Sequence, residues 1–374
     1  MLNRYDCIIV GGGVNGGSIA YHLAKKGKKV LLLEKDRLAR KASGAAAGML
    51  AAQAELEEDG PLFQLAKQSR AMFPILAEEI KDLTGIDIEL VQKGMYKISI
   101  TEEEEYHLKH IVDVQTRAGE QAEWLSQDEV RSREPALSNA VRGAMFIEKD
   151  GQVSAPQLSL GFLKAAAALG VEIKEYTEVT SFLFESGKVT GIQTNHGSVE
   201  SEHVIVAGGA WSEQLLPKSQ IPLQTYPVKG ECFSVRTHQP LLTGTIFSHG
   251  CYLVPKKGGR LLVGATVQPH TFDQTVTVNG ISSLLEKAKR LVPNIVHAEW
   301  EKAWAGIRPQ TVDGLPYLGE HPAYEGLFVA TGHYRNGILL APITGEIITR
   351  LVEREPTPVD ISAFRMERHT EKII

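Results

Sequence analysis

The sequence predicts an α/β fold of two domains, one Rossmann-like around a parallel sheet and one antiparallel and β-rich, and three observations carry that prediction. The first is the stretch Tyr5–Ala24, YDCIIVGGGVNGGSIAYHLA, where the apolar run Cys7–Val10 meets consecutive glycines. An apolar-periodic segment follows, with Val14, Ile19, Ala20, Leu23 and Ala24. The second is a further apolar run, Lys29–Leu33, closed by Glu34. The third is recurrence: Val204–Val206 runs into Ala207-Gly208-Gly209-Ala210-Trp211, and Leu327–Thr331 runs into Gly332.

The first stretch reads as strand, tight turn and helix. Gly11, Gly13 and Gly16 spell G-x-G-x-x-G: the first permits the turn, the second lets backbone approach a pyrophosphate, and the third lets helix and strand pack closely. An anion would sit at the helix N-terminus, where unpaired N–H groups and the helix dipole favour negative charge. Glu34 follows at about the spacing of roughly 20 residues expected of an acid that binds a ribose hydroxyl. Strand, glycines, helix, strand and acid in this order predict an adenine dinucleotide. The alternative is a glycine-rich turn in an ordinary α/β unit.

A chain of 374 residues is long enough for two domains, and a hydrophobic fraction of 43% supports full cores. The net charge of −5 comes without a basic tail, so neither nucleic acid nor an anionic membrane is expected as a partner. The acidic run Glu102–Glu105 reads as the exposed first turn of a helix. No apolar run approaches the ~18 residues of a membrane span, and no signal peptide is expected before the first strand. Cys7, Cys232 and Cys251 are odd in number and scattered, which predicts neither a disulfide framework nor a metal site and suits a reducing cytoplasm.

Beyond Glu34, Lys41–Ala52 is a run of small residues. It is either a surface that lets backbone lie flat against a planar ligand or a packed helix start. Pro61–Thr84 is a helix, with Leu62, Leu65, Ala66, Phe73, Leu76 and Ile80 on one face. Ile86–Ile100 alternates around Lys93-Gly94, which predicts a hairpin, and a short helical region runs on to Leu137. Ala155–Leu169 is a helix, and Val171–Ile173, Val179–Phe184 and Val189–Thr194 are strands. The glycines after Val206 either pass close to the same ligand or form a simple turn. Val228–Val235, Thr245–Val254 and Arg260–Ala265 are strands, Ile281–Leu291 a helix, and Ala298–Ala305 another strand. The last helix ends near Glu353 and begins either at an Asn336 cap or with Pro342 in its first turn. These elements place residues 1–85, 142–222 and 302–374 in the nucleotide-binding domain, with 86–141 and 223–301 forming the second.

Four residues stand out chemically. Arg308, in Trp304-Ala305-Gly306-Ile307-Arg308-Pro309, has an extended backbone because a proline follows it. An arginine among apolar neighbours needs a carboxylate partner, either from the protein, as a structural salt bridge, or from a substrate. His333, in Gly332-His333-Tyr334-Arg335-Asn336-Gly337, invites a general-base reading but fits a hydrogen-bonded structural residue better. Cys251 has no histidine and acid arranged with it and reads as inert. Tyr252 either reaches a ligand with its hydroxyl or packs on a sheet.

With these motifs in place, the sequence resembles the D-amino-acid oxidase family of flavoproteins, and within it the glycine-oxidase branch that serves thiamine biosynthesis. The resemblance runs nearly end to end. It rests on the glycine motif with Glu34, AAAGML at 45–50, PVKGE at 227–231, CYLVP at 251–255, WAGIRP with DGLPYLG at 304–319, and GHYRNGILLAP at 332–342. It implies that Gly11, Gly13 and Gly16 hold the pyrophosphate of FAD and Glu34 its adenosine ribose. Val14, Asn15, Lys35, Ala42 and Ser43 match cofactor-lining positions, as do Ala47, Gly48, Met49 and Val179. The segment His333, Tyr334, Arg335, Asn336, Gly337, Ile338 and Leu339 matches the one that approaches the flavin ring. Arg308 matches the arginine that pairs with the substrate carboxylate, Tyr252 the tyrosine beside it, and Arg335 a substrate-site position. No metal is implied.

The implied reaction is the oxidative deamination of glycine, sarcosine and small D-amino acids by dioxygen, by a homo-oligomer that the resemblance makes a tetramer. It supplies the glycine imine for the thiazole of thiamine. FAD should be held without a covalent bond, because no cysteine follows Cys251. Val267 stands where the family can carry Met and Gly250 where it can carry His, and both positions are expected near the active site. Rival readings are an amino-acid dehydrogenase using another electron acceptor and a flavin-binding protein without turnover.

Overall fold

The computed structural model describes residues 4–216 and 223–369, so the expected domain edge at 222 lies outside the described residues. The strand Arg4–Val10 is central to an eight-stranded sheet. It pairs in parallel with Val30–Leu33 on one side and Gly197–Val206 on the other, and that strand pairs in parallel with Leu327–Thr331. All four strands therefore end at the same edge, where the crevice of an open parallel sheet binds ligands. Successive residues of the central strand face opposite sides. Ile9 and Leu32 pack with Ile19, Phe162 and Leu340 of the helices, while Ile8 and Leu31 pack with Val204 and Val329 on the other side.

The helices Val14–Lys25, Pro61–Thr84, Ala155–Ala168 and Gly337–Val352 pack together over the first of these faces. The second begins at Pro61 and stops at Gly85, whose φ of 72° is the left-handed conformation that favours glycine at a helix end. The expected helix at Glu102–Glu105 is present: Thr101 caps Glu102–Arg117 in a reciprocal capping box with Glu104. In the last helix Asn336 holds the N-cap position, and Pro342 lies inside rather than at the first position.

The second sheet has nine strands. Thr225–Arg236 pairs antiparallel with Glu299–Thr311 along its length, aligning Gly230 with Gly306 and Val228 with Arg308. Every pairing in this sheet is antiparallel except that of Met95–Ser99 with Thr245–Ser248. That parallel pairing corrects the hairpin expected over 86–100. Only Met95–Ser99 is a strand there, between Thr245–Ser248 and Gly143–Ile147, while Val91 bridges Gln152. Alternation in that stretch reflects distant partners, not a turn between its own halves. The strand expected over Thr245–Val254 is two, Thr245–Ser248 and Cys251–Lys256, parted at Gly250 with φ 69°. The sheet also includes Gly143–Ile147 and continues to Thr311, beyond the expected edges at 141 and 301. We propose that the domain division follows the sheets.

A buried ionic cluster joins the two parts, with Arg70 of the first paired at 3.1 Å to Glu120 of the second. Asp150, fully buried, accepts from the Arg70 guanidinium and from the amides of Gln53 and Ala54 at 3.1 and 2.9 Å. Burial pushes its carboxyl up to about 6 despite the opposing pull of Arg70. This anchors the short helix Ala52–Glu55, whose last residue enters the site.

Candidate active site

At the carboxyl edge of the first sheet the chain leaves Val10 through Gly11, whose φ is 119°. A Cβ on Gly11 would overlap the carbonyl of Ala207, and one on Gly16 would overlap the carbonyl of Gly11. Gly16 therefore serves the motif by close packing of helix on strand, and it does not line the cavity. The cavity, about 560 Å³, runs from Glu34 and Lys35 past the start of the helix at Val14 to Arg308 and Tyr252. It lies between the two sheets.

Polar groups on this wall are arranged for a ligand. Glu34 receives the amides of Gly12 and Asp36 at 2.8 and 2.9 Å, which fixes its carboxylate beside the glycine turn. Ser43 accepts from the Val14 amide at 2.9 Å, tying the small-residue segment to the helix start. The Asn15 Oδ1 atom is buried without a partner, although an orphaned acceptor is costly. A ligand hydroxyl at this wall would satisfy it. Trp304 donates through Nε1 to the Ala45 carbonyl at 2.9 Å, docking the helix Ala42–Ala45 on the second sheet. The run expected either to face a ligand or to start a helix does both: Ala42, Ser43, Ala47, Gly48 and Met49 all line the cavity. So does the turn after Val206, with Ala207 to Trp211.

At the far end stands Arg308. Its Nη1 donates to the Thr266 carbonyl at 3.3 Å and its guanidinium lies 6.0 Å from the centre of the Tyr334 ring. Among the described residues no carboxylate pairs with it. The structural salt bridge is thus absent, and a part-buried cation faces the cavity. Tyr252 is 7% exposed, with its hydroxyl 3.5 Å from the Cys232 sulfur. Burial raises its pKa well above the usual phenol value, so it is a neutral donor. Arg335 is committed to Glu55, through Nε at 2.9 Å and Nη2 at 2.6 Å, both to Oε1.

His333 is buried with Nε2 3.0 Å from the Thr344 hydroxyl, and burial lowers its pKa to about 3. It is a neutral structural residue. Cys251 is buried and its thiol is pushed up to about 12 by burial, so it is inert. His333 to Ile338 line the cavity, as do Val179 and Asn15, but Leu339 does not. The Leu339 side chain is in the core and its carbonyl accepts from Ser69 at 2.6 Å. Val267 and Gly250 line a second cavity instead.

The sequence reading did not find Glu55, Cys232 or Gly230. Glu55 stands among Glu57, Glu58 and Asp59, with nothing local to single it out. Gly230 lies under the Arg308 guanidinium, which a Cβ there would overlap; the aligned pairing of two strands is the only sign of it.

The composition of this crevice has a counterpart in known proteins: residues 6–351 match the family described as FAD dependent oxidoreductase, DAO. The chain belongs to the DAO family of FAD-dependent oxidoreductases. FAD is its cofactor. Family members similar to it include the glycine oxidase of Geobacillus kaustophilus, 50% identical over 100% of this chain and 99% of that one. The crystal structure of glycine oxidase from that organism superposes with a TM-score of 0.96, covering 98% of this chain and 99% of that one. The bifunctional protein ThiO/ThiG of Synechocystis sp. is 36% identical over 98% of this chain, which spans 54% of its length. Among the described residues no helix is long and apolar enough to cross a membrane, and no group of His, Cys, Asp and Glu could hold a metal ion.

Proposed function

We propose that this chain oxidises glycine and other small amines and D-amino acids, converting glycine, dioxygen and water to glyoxylate, ammonia and hydrogen peroxide. The observation that carries the reading is Arg308, a part-buried guanidinium at the end of the cofactor cavity whose one hydrogen bond among the described residues goes to a backbone carbonyl. A planar guanidinium matches a carboxylate bidentately. Likeness to a glycine oxidase over the whole chain supports the same substrate class.

When bound beside the glycine turn and Glu34, FAD would supply the two-electron acceptor, with dioxygen as the final oxidant. The residues of the chain bind and orient. Arg308 holds the substrate carboxylate and the neutral Tyr252 phenol donates a hydrogen bond beside it. Water leaves a pocket walled by Cys232, Tyr334 and Ile307. With its pKa lowered to about 3 by burial, His333 is too weak a base to take the proton of the substrate amine. The released imine hydrolyses in water, or serves as the precursor of a thiazole as the ThiO-like relationship suggests.

Peroxide release and oxygen uptake with glycine, sarcosine, D-alanine, D-proline and L-alanine test this. Turnover of the first four with little of the last is expected, because Arg308 fixes the carboxylate and exchange of side chain and amine misplaces the reacting hydrogen. Substrate-dependent reduction of a dye without peroxide would instead indicate a dehydrogenase. The same reading places the chain in the cytoplasm, which suits three free cysteines, and assembles it as a homotetramer, measurable by light scattering.

A further inference from the structure

Next to the cofactor cavity lies a second cavity of about 540 Å³, and the two share four wall residues: Glu55, Tyr252, Tyr334 and Arg335. These four form a neck. Arg308 sits close to it, its guanidinium 6.0 Å from the Tyr334 ring centre. A small ligand whose carboxylate is seated on Arg308 is therefore within reach of the neck, an inference that rests on the oxidase reading above.

The charges at the neck are unequal in availability. Arg335 is part-buried against Phe247, its guanidinium 5.6 Å from that ring centre, and spends Nε and Nη2 on one oxygen of Glu55. The other oxygen of Glu55, Oε2, accepts no hydrogen bond from the described residues. The Glu55 side chain is 13% exposed, so this is a carboxylate face presented to the cavities. Glu55 is also held firmly, because the helix that ends with it is anchored through Gln53 and Ala54 on buried Asp150. Farther out, the second cavity carries Glu57, Glu104 and Lys97, so its lining has three carboxylates and two permanent cations in all. Lys97 in turn is paired with Glu57 at 2.6 Å.

We infer that Glu55 is a charge filter for the substrate. Its open oxygen receives the nitrogen side of an amino acid and repels a second carboxylate, so that amines with one carboxylate enter and those with two are refused. In low dielectric, like charges at contact cost far more than they do in water. Removing the charge of Glu55 turns the neck from neutral to positive, because Arg335 is left uncompensated, and the selection should reverse in sign.

Sarcosine and iminodiacetate test this, since they differ by one carboxylate on the N-substituent. The ratio of kcat/KM for iminodiacetate to that for sarcosine should rise tenfold or more in Glu55→Gln and stay near the wild-type value in Glu55→Asp. A smaller rise in Glu55→Gln overturns the filter. A merely structural role would lower both substrates together and leave the ratio where it was. Binding of the unreactive ethers methoxyacetate and diglycolate, followed by the flavin absorbance of the wild-type holoenzyme, gives a measure that needs neither a variant nor turnover. Diglycolate should bind at least tenfold more weakly, and a smaller gap overturns the filter. Absence of sarcosine and glycine oxidation together with that binding gap would refute the oxidase reading and leave the filter standing.

Discussion

Arg308 stands over the bare backbone of Gly230, so that a single methyl group at 230 would occupy the space of its guanidinium. The two residues are on neighbouring strands, and the pairing of Val228 with Arg308 puts Gly230 two positions along. The guanidinium lies along the sheet because no side chain stands there to push it off. The position of the carboxylate anchor thus depends on a glycine in the cavity wall that has no side chain to displace it.

Arg308→Ala removes a charge-assisted and bidentate contact to the substrate, worth on the order of 2–5 kcal/mol in a desolvated site. Its kcat/KM with glycine should fall by about two orders of magnitude or more, while FAD content stays at the wild-type level. Gly230→Ala leaves the charge and displaces it, and should raise KM more than it lowers kcat. A well-folded Arg308→Ala enzyme with near-normal turnover would contradict the role given to this residue.

FAD should leave the protein intact on acid or heat. Cys251 is buried with a thiol pushed up to about 12, and Cys232, though in the cavity wall, also has its pKa raised by burial. Neither is a ready nucleophile. Acid precipitation should leave yellow colour in the supernatant and a colourless pellet. A yellow pellet would show a covalent link.

The buried cluster at Asp150 predicts a large stability effect. Removing one partner of a buried ion pair costs about 3–5 kcal/mol when the other is left stranded; Arg70 keeps Glu120 at 3.1 Å, so the loss should lie toward the lower end of that range. Asp150→Ala also frees the amides of Gln53 and Ala54. Urea unfolding should show that loss, whereas Glu202→Ala, which breaks the pair of Arg4 and Glu202 with side chains 67% and 58% exposed, should cost under about 1 kcal/mol. Equal losses would mean that the cluster contributes no more than a surface pair.

His333 gives a pH signature. Its folded pKa is about 3, below the ordinary 6.5, so between those values the unfolded chain binds the extra proton. Its contribution to stability is complete above pH 6.5 and is lost as pH falls toward 3, at about 1.4 kcal/mol per pH unit. Between pH 7.5 and 5.0, wild type should lose about 2 kcal/mol more than His333→Gln, read by denaturant unfolding in excess FAD. Equal losses would place the His333 pKa elsewhere. The pH–rate profile should show no limb from this histidine.

What was legible in the sequence was whatever local order decides. The strand, turn and helix from Arg4 to Lys25 follow from periodicity and glycine, and the helix Pro61–Thr84 is marked at both ends by Pro61 and Gly85. Pairings between distant segments were not legible. Met95–Ser99 alternates like half a hairpin, yet its parallel neighbour is Thr245–Ser248, and no local turn encodes that. The site divides in the same way. The glycine cradle is a local motif, but Glu55 becomes visible only through Arg335, 280 residues away. Arg308 could be recognised as needing an anion; that none of the described residues supplies one follows only from the packed structure.

Substrate size is the remaining question, and Val267 and Gly250, expected near the active site, line the second cavity, which shares Glu55, Tyr252, Tyr334 and Arg335 with the first. Val267 is 52% exposed and lines the second cavity, not the one that ends at Arg308. A side chain half in solvent gains little from extra length, since burial of a whole methylene is worth only about 0.8 kcal/mol. Val267→Met should therefore change the D-alanine to glycine ratio of kcat/KM by less than about threefold. Gly250 has a φ of 69° and lies against Lys287, which donates to its carbonyl at 3.3 Å. Gly250→His places a side chain on a left-handed residue and should cost on the order of 1 kcal/mol in stability. Steady-state oxygen uptake and thermal unfolding of the two variants measure both effects. A large change of ratio in Val267→Met would show that the second cavity closes down on the substrate during turnover and that Val267 then becomes part of its wall.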